Sequence, residues 1–260
     1  DPAYDGAVQA AAGMMANNGT AESGPLRTGY MPVDLMTGMT AAYATTAALL
    51  RKQKTGKGQM VDVAMLDCAI TLGAANFSRS EVDDIPDMLI GNQSITSAPT
   101  ASSFPTAEGA ILTAAIMPNH VEAFFDEIGL KEMLNDPKFA TREARIENKE
   151  IVRDAMIEAL KSDTAENWEK RLAPRGVPVA KINSVKETAR LEQLQYRNIL
   201  TAVPAAKGMA NGYRLPGAPF TNSVDGPEVM RPDPVPGQHT LEILAEIGID
   251  TAGKHSPAAT

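Results

Sequence analysis

Cysteine is almost absent from this sequence. Cys68 stands alone among 260 residues, so no internal disulfide can form, and no CxxC or Cys/His cluster offers a zinc site. That usage points to a reducing compartment, and a cytoplasmic location is the expectation. Aromatic residues are scarce at 5%, too few for the stacking platforms that grip single-stranded nucleic acid. Basic residues fall short of acidic ones, 24 against 32. The resulting net charge of −8 argues against a nucleic-acid or anionic-membrane surface, while leaving room for a local basic pocket that holds one small anion. No apolar run approaches the roughly 18 residues of a membrane span. Several nucleotide and hydrolase signatures are missing as well: there is no G-x-S-x-G, no P-loop and no G-x-G-x-x-G. Thr55-Gly56-Lys57-Gly58-Gln59 is only superficially like a phosphate loop, since it follows a helix pattern and lacks both the leading glycine and the hydroxyl after Lys57. It reads as a turn.

What is present is the composition of a soluble globule, 43% hydrophobic and 22% charged. The length suits one large domain or two ordinary ones. The sequence opens Asp1-Pro2-Ala3-Tyr4-Asp5, with neither a methionine nor the basic start of a signal peptide, so a truncated or processed front is expected. Residues 5–16 read as a short helix. Residues 35–53 form the strongest helix pattern, with Asp34 before it and Arg51 and Lys52 at its end, as the helix dipole prefers. Residues 59–66 partly alternate and suit a strand, and 67 to about 79 a second apolar helix. Residues 81–102 look like a linker. A hairpin is expected over 103–116, then helices at 120–128, 142–161 and 164–175, a short strand at 177–182 and a helix from Ser184. Prolines crowd the tail, where a helix at 239–247 is the element expected to survive. The pattern is α/β, with a division at 1–80, 81–102, 103–205 and 206–260.

Candidate chemistry is sparse. His120, His239 and His255 have no metal-ligand spacing to one another and read as capping or surface residues. Asp34 follows Met31-Pro32-Val33 and precedes a nearly uncharged stretch. One reading makes it the helix N-cap, worth about 1 kcal/mol. The other makes it a carboxylate nucleophile, since a carboxylate can attack an acyl centre and form a covalent intermediate. The local sequence does not choose between them.

The segments PAYDGAVQAAAGMM, GPLRTGYMPVDLMTGMTAAYATTAALLRKQKTGKGQMVDVAMLD, SFPTAEGAILTAA, LNDPKFATREARIENK and RGVPVAKINSVKE together resemble the class III coenzyme A transferases, the CaiB/BaiF group, from about Tyr4 to Gly248. The block from Asp34 through T-G-K-G-Q to Asp67 is the most specific part. The resemblance implies a Rossmann-like large domain, incomplete here, and a smaller α/β domain, with the chain returning to the large domain at its end and two chains interlocked as a homodimer. It implies transfer of coenzyme A between an acyl-CoA and a free carboxylic acid, with Asp34 as nucleophile, Met65 lining the coenzyme A channel, and no metal or redox cofactor. The intermediates would need protection from water and donors for tetrahedral oxyanions, with backbone N–H groups near the start of the Asp34 helix as candidates. Related α-methylacyl-CoA racemases pair the aspartate with a histidine, whose place falls on Tyr4 here, followed by Asp5. A phenol is a poor base near neutral pH, which favours transfer over racemisation and leaves Tyr4 as a packing residue. An inactive fragment of a transferase is the further alternative. Some transferases cover the aspartate with a glycine run; the matching stretch here, Gly91 to Ser97, contains one glycine.

Overall fold

A computed structural model describes residues 3–205, 209–226 and 232–249. The chain divides into two compact units, 1–182 and 183–260. The first unit begins with α1 (Asp5–Ala11), a 3₁₀ turn (Met14–Asn17) and the two-residue strands β1 (Gly19–Thr20) and β2 (Gly24–Pro25). Gly19 permits the β1–β2 turn, because a Cβ at its φ of 129° would lie 2.1 Å from the carbonyl oxygen of Gly24. Then comes α2 (Pro32–Thr55). Pro32 occupies its first turn, where a missing N–H costs nothing. Gly56 ends it in the left-handed conformation, φ 71°, donating its N–H to Lys52 O at 2.8 Å. The T-G-K-G segment is the turn expected, held by Arg51 Nη1 donating to Lys57 O at 2.8 Å.

The strand expected over 59–66 does not form. Residues 59–64 are irregular and mostly exposed, because a strand needs a neighbour for its backbone groups, and no strand among the described residues pairs with this one. Met65 instead opens α3 (Met65–Leu72). The apolar helix expected from 67 is interrupted at Gly73 and resumes as α4 (Ala74–Asp83). Val8, Ala12, Val33 and Ala69 form a small core here, flanked by half-buried Met14 and Met65.

Residues 84–102 carry no regular element, but they are tied down. The Gly91 N–H donates to Gly19 O at 2.7 Å, and buried Thr113 donates through Oγ1 to Thr100 O at 2.6 Å. The hairpin follows as β3 (Ser103–Pro105) and β4 (Ala110–Thr113), pairing Phe104 with Ile111. Strand β5 (Val179–Lys181) completes a three-stranded antiparallel sheet against β4. Period-two alternation buries Ile111 and Thr113 and leaves Leu112 outside. Helices α5 (Pro118–Glu127), α6 (Pro137–Ala140), α7 (Arg142–Glu147), α8 (Lys149–Leu160) and α9 (Ala165–Leu172) intervene between β4 and β5. The single helix expected over 142–161 is broken at Asn148, whose side chain donates to Ala144 O at 2.9 Å and closes α7. Phe104, Phe124, Phe125, Met156, Leu160 and Trp168 meet in the second, larger core. Trp168 Nε1 donates to Leu160 O at 2.9 Å, so its one polar atom is satisfied inside.

The second unit holds α10 (Val185–Thr188), α11 (Glu192–Tyr196), the hairpin β6 (Leu200–Val203) and β7 (Tyr213–Pro216), and α12 (Thr240–Glu246). Ser184 and Glu187 make a reciprocal capping box on α10. The β6–β7 pair is four residues long, short enough to fit between prolines that exclude longer elements.

Candidate active site at the start of α2

Asp34 is the third residue of α2, not the residue before it. The N-cap position belongs to Met31, which makes no side-chain capping bond. The capping reading of Asp34 is therefore overturned, and the reason is the placement of Pro32 inside the helix, which moves its start three residues forward. Another carboxylate does the capping. Asp5, at the head of α1, accepts through Oδ2 from the Val33 N–H at 2.8 Å and from the Asp34 N–H at 3.1 Å. Its other oxygen accepts from Gln9 Nε2. Gln9 also donates to Thr28 Oγ1 and accepts from the Thr28 N–H, each at 3.0 Å. Asp5 is 6% exposed and Gln9 1%, so these bonds form in a region largely shielded from water, where an unpaired polar group would be costly.

This arrangement also removes the expected oxyanion donors. Pro32 has no N–H, the amides of Val33 and Asp34 are committed to Asp5, and the Leu35 N–H donates to Met31 O. The first turn of α2 has no spare amide among these four residues. The Asp34 side chain, by contrast, is exposed and forms no hydrogen bond or ion pair among the described residues.

Met65 is half-buried at the first position of α3 and packs on the same small core as Val33, the residue before Asp34. Met65 thus shares a core with the residue before Asp34, while the Asp34 side chain itself is exposed. Tyr4 is 88% exposed, which corrects its reading as a packing residue; its carbonyl begins α1 by accepting from Ala7 and Val8. The signal that could have found Asp5 and Gln9 is their i,i+4 spacing on the face of α1 that also carries Val8 and Ala12.

No group of three or more His, Cys, Asp or Glu among the described residues could hold a metal ion. His120 Nδ1 is buried without a partner among the described residues, and His239 precedes α12 without capping it; His255 lies outside the described residues. No helix among the described residues is long and apolar enough to cross a membrane. A separate cleft of about 720 Å³ opens beside α5 and α7 and contains neither Asp34 nor Met65. Three of its charged lining residues, Asp126, Lys131 and Arg175, pair with one another. Arg175 donates to Asp126 at 2.5 Å and Glu127 at 2.6 Å, and Lys131 adds a contact to Asp126 at 3.1 Å. The Arg175 hydrogen bonds, foremost, hold both carboxyls below the ordinary carboxylate range.

The family model for CoA-transferase family III matches residues 1–240. The chain belongs to CoA-transferase family III. It is 28% identical over 252 residues to the succinate–glutarate CoA-transferase of Agrobacterium fabrum, covering 94% of this chain and 60% of that protein. It is 30% identical over 220 residues to the acetyl-CoA:oxalate CoA-transferase of Acetobacter aceti, covering 84% of this chain and 54% of that one. The chain therefore spans between half and two thirds of the length of these curated relatives. The crystal structure of a CaiB/BaiF family protein from Brucella suis superposes with a TM-score of 0.79 at 24% identity, over 94% of this chain and 62% of that one. The α/β fold expected from the sequence is thus that of the CaiB/BaiF group, and in this family III chain the block from Asp34 to Asp67 runs from helix α2 through the turn and residues 59–64 into α3.

Proposed function

We propose that this family III chain serves a CoA-transferase that moves coenzyme A between an acyl-CoA and a free carboxylic acid, with the Asp34 carboxylate as covalent nucleophile. The observation that carries the reading is the exposed, unpartnered Asp34 side chain on a first turn whose backbone is fixed by Asp5. Dicarboxylates are the substrate class we assign, on the strength of relatives named for succinate, glutarate and oxalate.

The chemistry needs only activated acyl groups. An Asp34 oxygen attacks the thioester carbonyl, the C–S bond breaks, and the thiolate leaves with the electron pair. The product is a mixed anhydride. The thiolate then attacks the Asp34 carbonyl carbon, expelling the first acid as its carboxylate and leaving an aspartyl-CoA thioester. The acceptor carboxylate attacks this thioester, forming a second anhydride and freeing the thiolate again. Attack of the thiolate on the acceptor's acyl carbon gives the new acyl-CoA and restores the Asp34 carboxylate. No net proton is exchanged, and both kinds of intermediate must be kept from water. Met65, beside the Val33 core, is assigned to the wall of the coenzyme A channel. We further assign the division 1–80 and 206–260 to a large domain and 103–205 to a small one, in a cytoplasmic, interlocked homodimer. The chemistry requires no metal or redox cofactor.

The test incubates the protein with succinyl-CoA and glutarate, traps with hydroxylamine, and maps the modified peptide by mass spectrometry. Modification is expected at Asp34, and Asp34→Asn abolishes transfer with the fold retained. Transfer product accompanied by a label elsewhere and an unmodified Asp34 overturns the assignment of the nucleophile. Absence of transfer overturns the enzymatic reading.

A further inference from the structure

We propose that Asp5 is a positioning residue for the nucleophile, an inference that rests on the reading of Asp34 above. Asp5 is an almost fully buried acid with no cationic partner among the described residues. Its carboxylate is satisfied by three N–H donors: the Gln9 amide and the backbone amides of Val33 and Asp34. The positive end of α2 supplies the remaining compensation. Two of the three donors thus belong to the nucleophile and the residue before it. Fixing these two amides on one oxygen fixes the orientation of the peptide units on either side of Val33, and through them the direction of the Cα–Cβ bond of Asp34.

Gln9 makes this clamp rigid. Its amide is held at both ends by Thr28, through the hydroxyl and the backbone N–H, so it pins Asp5 Oδ1 while Oδ2 grips α2. Three segments (α1, the stretch around Thr28 and the start of α2) are joined at one carboxylate. The clamp has a second effect. The first-turn amides are the groups that attract a carboxylate in the same turn. With those of Val33 and Asp34 occupied by Asp5, the Asp34 side chain has no bond to its own helix end and is left exposed. A role limited to helix stability would be served equally by a cap at residue 31. Reaching Val33 and Asp34 from residue 5 couples the nucleophile's backbone to a second helix.

The experiment compares Asp5→Asn with Asp34→Asn and Gln9→Leu, measuring succinyl-CoA:glutarate transfer together with amide hydrogen exchange at Val33 and Asp34. The Asp5→Asn change puts a donor NH₂ against another donor, either the Gln9 amide or the α2 backbone. We expect kcat to fall about 10- to 100-fold, the scale of a small misplacement of reacting atoms, with KM for succinyl-CoA nearly unchanged, and exchange at Val33 and Asp34 to quicken. Gln9→Leu should show the same split at smaller size, and Asp5→Glu should restore part of kcat. If Asp34→Asn keeps full transfer, the nucleophile itself is misassigned. If Asp34→Asn is inactive while Asp5→Asn keeps the parent kcat, the positioning role is overturned. Should Asp5→Asn fail to fold, an unchanged kcat in folded Gln9→Leu overturns it equally.

Discussion

Two regions of the first unit are held together by different means. Around β3, β4 and β5, cohesion is apolar, with aromatic rings and long aliphatic chains closed to water. Around α1, α2 and α3, four small or medium residues make the core, and the specific geometry comes from Asp5, Gln9 and Thr28. In the 24-residue α2, Val33 is the one buried residue, and Leu35, Met39 and Tyr43 are exposed. Apolar contact is strong but weakly directional, whereas a satisfied hydrogen-bond network fixes angles at little net gain in stability. The first region draws on burial and the second on directed hydrogen bonds.

The contrast predicts where damage will show. Phe124→Ala in the larger core should cost about 3–5 kcal/mol, read as a lower urea midpoint by circular dichroism; a loss below about 1 kcal/mol would break the distinction between the regions. Val33→Ala in the smaller core removes two methylenes' worth of buried surface, about 1.6 kcal/mol. It should quicken amide exchange in the first turn of α2 while leaving exchange in β4 unchanged. Gly56→Ala strains a left-handed position and should cost about 1 kcal/mol, shortening α2 at its far end without moving Asp34. The smallest effect concerns acid. Asp126 and Glu127 are held below their ordinary values by Arg175. Their contribution to stability is therefore complete above the unfolded carboxylate range and is lost as pH falls through the depressed folded values. Arg175→Met should flatten that acid limb in a pH series of urea midpoints, and an unaltered slope would remove these pairs from the account.

Much of this is legible in the sequence. The hairpin at 103–113 announces itself by alternation around Gly109, and α2 by its length and Gly56. The first turn of α2 is harder to place, because Asp34 looks like a capping residue although Pro32 is a favoured opening one. Residues 59–64 alternate as a strand does, but alternation speaks of sidedness and supplies no hydrogen-bonding neighbour. Asp5 is the hardest case. Nothing in DGAVQAA says that its acid will cap a helix 28 residues away, since that contact exists only once three segments have met. The resemblance places Asp34, and the structure supplies what holds it.

Trp168 is the protein's single tryptophan, buried against Leu160 and lying 4.3 Å beneath the Arg171 guanidinium. Intrinsic indole fluorescence thus listens to the larger core alone. Emission could stay native while the Asp5 clamp had already opened, so following the surroundings of Asp34 by light calls for a reporter placed on α1 or α2.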